Sequence, residues 1–151
     1  MSASSWVSLV VFLGLVAATS VTGASFRPGV WYASLAKPSW TPPNWAFPVV
    51  WTILYVMIAV AGWLVYEREG FGAALAVWFL ALVLNGLWSY LMFGQRQIGL
   101  AAADLTALWI AVLAFILLAW PTDRTASLLF VPYLVWISYA GALNLAILRM
   151  N

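Results

Sequence analysis

Aromatic and amide side chains recur at helical spacing along three apolar stretches. Phe47, Trp51 and Tyr55 fall at i, i+4 and i+8; Asn85, Trp88, Ser89 and Met92 at i, i+3, i+4 and i+7; Pro132, Trp136, Ala140 and Asn144 repeat every fourth residue. On a helix each set shares one face. Another stretch ends with Thr19, Thr22 and Gly23, and Asp104 is the one acidic residue inside any of these stretches. Such groups stack on flat rings and hydrogen-bond at ring edges. Ordinary catalysis needs others. The chain has neither His nor Cys, which excludes a His/Cys zinc site, a Cys–His pair, a Ser–His–Asp triad and any disulfide. Asp104 stands alone, without a second acid or base to share a proton transfer.

The composition says where such residues must sit. Of 151 residues 66% are hydrophobic and 7% charged, against about 25% charged in a soluble domain. That excludes a soluble globular enzyme, a disordered chain and a nucleic-acid binder. The net charge of +2 reflects scarcity of charge and not a basic patch.

Crossing about 30 Å of hydrocarbon takes roughly 20 apolar residues. Five stretches qualify: about Ser5–Phe26, Phe47–Tyr66, Phe71–Phe93, Ile98–Trp120 and Ala126–Leu148. They are continuous rather than alternating, so a β-barrel is not expected. The first lacks a preceding Lys or Arg and is too long for a signal-peptide core, so it reads as a retained helix. The expected fold is an all-α membrane protein, residues 1–151 forming a single bundle of five transmembrane helices. Three of its connections are tight, which predicts that consecutive helices pack as antiparallel neighbours. Arg27, Lys37, Arg96 and Arg149 fall on one side, Arg68 and Arg124 on the other. The bias places the first loop and the C-terminus in the cytoplasm and the N-terminus outside.

The first loop differs from a polar, flexible linker. It runs Arg27-Pro28-Gly29-Val30-Trp31-Tyr32 and then Lys37-Pro38-Ser39-Trp40-Thr41-Pro42-Pro43-Asn44-Trp45. Prolines stiffen it, and its aromatics suit either a long structured lid or a belt at the headgroup level. From the rise per residue, Trp51 lies about 6 Å in from this side, Asn144 about 7 Å, Asp104 about 9 Å and Asn85 about 12 Å, with Trp136 near mid-membrane. The opposite leaflet reads plainly: Val10, Val11, Phe12 and Leu13, then Leu113, Phe115, Ile116, Leu117 and Leu118. A conducting pore needs polar lining throughout. Each stripe alone fits helix packing, the asparagines fit interhelical hydrogen bonds, and Asp104 fits a surface carboxylate paired with Arg96 or Arg149. Convergence of three helices and a loop at one depth favours a blind cavity beneath the loop.

At these residues the chain resembles the translocator protein family, also called the tryptophan-rich sensory or peripheral-type benzodiazepine receptor family. The resemblance covers nearly the whole chain. It rests on Trp31-Tyr32, Lys37 to Pro43, Pro48 to Thr52, Asn85-Gly86-Leu87-Trp88-Ser89, Asp104, Val131 to Trp136 and Leu143-Asn144. It implies a five-helix bundle, a homodimer, and a pocket for porphyrins and aromatic drug-like ligands. The implied ligand-binding positions are Tyr32, Pro42, Trp51, Tyr55, Asn85, Trp88, Trp136 and Ala140. Trp51 and Trp136 match tryptophans linked in bacterial members to light-dependent porphyrin breakdown, which makes them the candidate catalytic pair. The sterol motif of animal members lacks its Tyr here, in Leu143–Arg149. This argues against sterol binding there and for a bacterial member in the cytoplasmic membrane. A formal sterol pattern at Leu64–Arg68 is too short a signal to carry weight.

No cofactor is required on this reading; porphyrin or haem would enter as ligand. A haem iron takes His, Cys, Met or Tyr, which leaves only Met92, Tyr55 and Tyr90 as weak candidates. Binding is therefore expected to rest on ring stacking, with propionates reaching Lys37, Arg27 or Arg149. Three functions compete: a tetrapyrrole-binding transporter or sensor-regulator, a light-dependent porphyrin-degrading enzyme, and a scaffold with an incidental pocket. Gly72 and Ala76 form a small-xxx-small pair on the third span, the expected dimer contact.

Overall fold

The computed structural model describes residues 1–151 and contains helices and no strand. Five helical segments are long and apolar enough to cross a membrane, making this an integral membrane protein. The first is α1, Ala3–Ser25. A short helix, α2, Val30–Ser34, lies in the first loop. The second span is α3, Ala46–Glu69, and the third is α4, Ala73–Ser89, continued by a π-helical turn, Tyr90–Gly94. The fourth is α5, Ile98–Ala119. The fifth is two pieces, α6, Arg124–Leu129, and α7, Val131–Met150.

Local chemistry sets the ends. The Ser2 hydroxyl accepts from the Ser5 N–H at 3.2 Å and caps α1. Asp123 Oδ1 accepts from the Ala126 N–H at 2.9 Å and caps α6, while Oδ2 meets Arg68 at 3.3 Å. Gly70 ends α3 at φ 68, a left-handed conformation that glycine adopts without penalty. In the fifth span the helix stops at Leu129 and restarts at Val131. Pro132 then stands in the first turn of α7, where its missing N–H costs nothing. A proline inside a helical stretch is expected to bend it; this one does more. It divides it.

Packing departs from sequence order at one point. α4 packs along α5, and α5 along α7, as short connections predict. The second and third spans, α3 and α4, are joined by only three residues yet touch lightly, and each packs against α1 instead. Where α3 and α4 do meet, the Trp78 indole lies across Gly62, with its Nε1 donating to the Ile58 carbonyl at 2.9 Å. α1 is tied to α3 at the same end. Ser5 and Ser8 donate to the Glu67 carboxylate at 2.6 and 2.7 Å, and Trp63 Nε1 donates to the Ser5 carbonyl at 3.1 Å. Phe12, Trp78, Phe115 and Phe130 fill this leaflet. Nothing comparable fills the other leaflet between α1, α3, α4 and α7.

The first loop lies over that leaflet. Lys37 Nζ donates to the carbonyls of Tyr32 at 2.7 Å, Leu35 at 3.1 Å and Ala33 at 3.3 Å, and sits 4.8 Å from the Tyr32 ring centre. Asn151 brackets Ala36, accepting from its N–H at 3.0 Å and donating to its carbonyl at 2.8 Å. The Tyr139 hydroxyl donates to the Trp40 carbonyl.

Candidate functional site

The unfilled leaflet holds a cavity of about 800 Å³, within the roughly 300–1,000 Å³ of small-molecule sites. α3 contributes Phe47, Trp51 and Tyr55, its whole aromatic stripe. α4 contributes Asn85, Trp88 and Ser89, and the π turn adds Phe93. α7 contributes Trp136 and Ala140, and Leu105 and Leu108 of α5 form the back. Gly23 and Ser20 of α1 complete the wall. The exposed residues Leu13, Ala17, Thr52 and Val56 stand at its edge, so the cavity opens sideways between α1 and α3.

Six of the eight positions implied by resemblance thus surround one space: Trp51, Tyr55, Asn85, Trp88, Trp136 and Ala140. Tyr32 and Pro42 do not line it. Tyr32 is buried one layer behind, its ring edge-on to Phe93 at 5.5 Å, among Met92, Leu143 and Ile147. Burial, and secondarily the nearby Tyr139, holds its phenol above the ordinary value of 10.0. Pro42 stays in the loop, half-buried.

The stripes are edited in other ways. A regular helix would carry the Asn85–Trp88–Ser89 stripe on to Met92. The π turn inserts one residue into the ladder, with the Gln95 N–H donating to the Tyr90 carbonyl at 2.8 Å. Phe93 therefore takes the place on the cavity wall, and Met92 is buried against Tyr32 and Ala101. On α7 the stripe splits: Pro132 faces an outer groove with Val50, Ile53 and Met57. Asn144 is an internal tie, accepting from Trp88 Nε1 and donating to the Ile98 carbonyl, both at 3.0 Å. Asp104 is paired with neither Arg96 nor Arg149; it is buried and its carboxylate oxygens have no partner. Thr19 and Thr22 pack against Gly86, where an added Cβ would meet Thr19 at 3.4 Å, so glycine lets α1 approach α4.

The polar groups of the wall are few and mostly committed. The Tyr55 hydroxyl donates to Asn85 Oδ1 at 3.2 Å, and Asn85 Nδ2 donates to the Tyr133 hydroxyl at 2.7 Å. Trp136 Nε1 is buried and without a partner. The rings make a continuous corner. Trp51 and Tyr55 lie 5.5 Å apart, Phe47 and Trp136 6.0 Å, and Trp51 and Trp136 6.5 Å. Arg27 is the one basic side chain at the mouth, steadied by donation from Nε to the Ala24 carbonyl at 2.8 Å. Lys37 is spent on its own loop, and neither it nor Arg149 lines the cavity. Of the candidate iron ligands, Met92 points away, and Tyr90 stacks on Phe26 at 5.4 Å and accepts from Gln95.

Such a site offers flat aromatic faces, the uncommitted indole N–H of Trp51, the hydroxyls of Ser89 and Tyr55 and a cation at the rim. It can hold a planar apolar molecule by its faces and an anionic edge at Arg27. No acid–base pair lines it. Sequence reasoning missed Phe93, Leu105, Leu108 and Ser20. The last three carry no polar periodicity that would single them out, and Phe93 is hidden by the π turn.

Comparison with known proteins fits this architecture. The model described as the TspO/MBR family matches residues 6–150. Protein CrtK of Rhodobacter capsulatus is 40% identical over 145 residues, covering 93% of this chain and 91% of the relative. The tryptophan-rich sensory protein of Cereibacter sphaeroides is 38% identical, covering 97% and 92%. The translocator protein of Bos taurus is 36% identical, covering 92% and 87%.

Proposed function

The chain belongs to the TspO/MBR family, and on that premise we propose that it is a tetrapyrrole-binding membrane protein, acting as a transporter or sensor-regulator. The observation that carries the reading is the aromatic corner of Phe47, Trp51, Tyr55 and Trp136 around an 800 Å³ cavity with Arg27 at its mouth. Ring faces stack on the walls, and a propionate meets the guanidinium. The names of relatives, a sensory protein and a translocator protein, support the two roles. The first loop, held by Lys37, Asn151 and Tyr139, serves as a structured lid. The altered sterol segment and the bacterial relatives support a bacterial cytoplasmic membrane, and the charge bias supports placing this loop and the C-terminus in the cytoplasm and the N-terminus outside.

The test is titration of the purified protein with protoporphyrin and with haem, read by absorbance and tryptophan fluorescence. Protoporphyrin is expected to quench the emission, and removing iron to matter little, because the one candidate ligand on the wall, Tyr55, is a phenol that keeps its hydrogen on Asn85. Haem binding more than a hundredfold tighter, about 2.7 kcal/mol, would overturn the stacking account.

A second reading has its own observation. Trp51 and Trp136 stand together on the wall, and indole is far more readily oxidised than phenyl. They would serve as redox partners of a photoexcited porphyrin, the ligand supplying the chemistry. A homodimer through the third span has support as well. Gly72 and Ala76 are exposed, and a Cβ on Gly72 would meet only the Glu69 side chain, at 3.7 Å. Gly72 opens α4, its carbonyl accepting from the Ala76 N–H at 2.9 Å, and neither residue packs against another span.

A further inference from the structure

Asp104 is 7% exposed, on the face of α5 that packs into the bundle, and neither oxygen of its carboxylate has a hydrogen-bond partner. Isolated charge in such a place is strongly disfavoured by lost solvation. Countercharge would have to come from the elements packed on α5, and none supplies it. α4 has no ionisable side chain. On α7 there are Tyr133, Tyr139, which donates to Trp40, and Arg149 in the last turn. The π turn has Tyr90, engaged with Gln95. At the far end of α5, Arg124 lies over Trp120 at 5.0 Å and Asp123 is bound to Arg68.

Tyr133 is buried on α7, which packs along α5. It is also the inner end of the chain that starts at the cavity. Tyr55 donates to Asn85, and Asn85 donates to Tyr133. The Tyr133 hydroxyl hydrogen is the uncommitted donor of this chain. Tyr55 and Asn85 thus both donate inward from the cavity, and the Tyr133 hydroxyl and the Asp104 carboxyl are left as a buried donor and acceptor on packed helices.

We propose that Asp104 is a proton-binding site, linked to the cavity through the Tyr55–Asn85–Tyr133 chain. With the proton bound, the carboxyl is neutral and the chain is free to reorient. When the proton leaves to water, Tyr133 donates to the carboxylate, and Asn85 and Tyr55 are locked behind it. The amide of Asn85 passes no proton; it transmits orientation. In the locked state the Tyr55 oxygen faces the cavity as an acceptor. A ligand that donates an N–H there favours the locked state, so its binding expels a proton. The ligand half of the linkage rests on the tetrapyrrole reading; the proton site does not.

Infrared difference spectroscopy of the protein in lipid tests both halves. A protonated carboxyl has a C=O stretch well separated from carboxylate bands. At neutral pH, wild type is expected to show such a band that Asp104→Asn lacks, with both proteins equally folded by size exclusion. Tyr55→Phe and Tyr133→Phe should each shift that band in the empty protein, and protoporphyrin should diminish it. Protoporphyrin affinity should rise with pH by up to about tenfold per pH unit in wild type relative to Asp104→Asn. Absence of an Asp104-dependent band overturns the proton site. A band indifferent to both tyrosine variants overturns the linkage. A band that responds to Tyr55→Phe but not to protoporphyrin that quenches tryptophan emission overturns the ligand half and leaves the proton site standing, whereas protoporphyrin that neither quenches nor moves the band sinks the tetrapyrrole reading.

Discussion

The indole rings of Trp51 and Trp136 meet edge to face, at 88° with centroids 6.5 Å apart, although 85 residues of chain separate them. One comes from the second span and the other from the fifth, so the pair holds two walls of the cavity in register. Replacing either with Phe keeps an aromatic wall. Protoporphyrin affinity is expected to fall by about 1 kcal/mol, roughly fivefold. If the pair acts as redox partner, light-dependent loss of porphyrin absorbance falls much further than binding does. Equal decline of both would leave the tryptophans as packing alone.

Gly62 is the tightest glycine in the bundle. A Cβ there would lie 2.5 Å from the Trp78 ring, which is itself fully buried. Gly62→Ala should destabilise by about 1–3 kcal/mol through overpacking, seen as a lower unfolding temperature in detergent. Adding Trp78→Phe should return part of the loss. Because the contact lies in the filled leaflet, porphyrin affinity of the folded fraction should be unchanged.

The first loop should loosen in alkali. The Tyr32 phenol is held above 10.0 in the folded protein, chiefly by burial. The folded state thus resists losing this proton more than the unfolded chain does. Stability from Tyr32 is complete below about pH 10 and declines as pH rises through the folded value. Amide exchange or proteolysis of residues 27–45 should accelerate in that range, and Tyr32→Phe should remove the part due to the phenol. A loop equally alkali-sensitive in wild type and Tyr32→Phe would assign the effect elsewhere.

Ala76→Leu should block the close approach of third spans and give monomers in cross-linking or light scattering, with porphyrin binding retained. A variant that remains dimeric would move the contact, with Gly14 and Ala18 on α1 the next exposed small pair.

Much of this architecture is written in apolar length. The stretch expected from Ile98 to Trp120 is the helix Ile98–Ala119, and the others differ by a few residues at their ends. Six wall residues were legible because an i+4 stripe of Trp, Tyr and Asn has no reason to face lipid. Other features leave no mark in a single sequence. The fit of Trp78 over Gly62 joins residues whose periodicities are unremarkable by themselves. The splaying of α3 and α4 depends on both preferring α1. Lys37 looked free for a propionate because nothing in its spacing announces three carbonyls of its own loop. Tyr32 was misplaced for a related reason: its neighbours come from the third, fourth and fifth spans.

The π turn at Tyr90–Gly94 bears on how kindred sequences are compared. A relative of equal length with a regular ladder there would align without a gap, yet its positions beyond the turn would be rotated by one place. The residue written beneath Phe93 would then not be its structural counterpart. In a chain with a regular ladder, the side chain under Met92 would be the one turned inward. The hydrogen-bonding pattern of this one turn thus decides whether the cavity wall presents a phenyl face or a thioether sulfur. Affinity for iron would diverge between two proteins whose aligned pocket letters are identical.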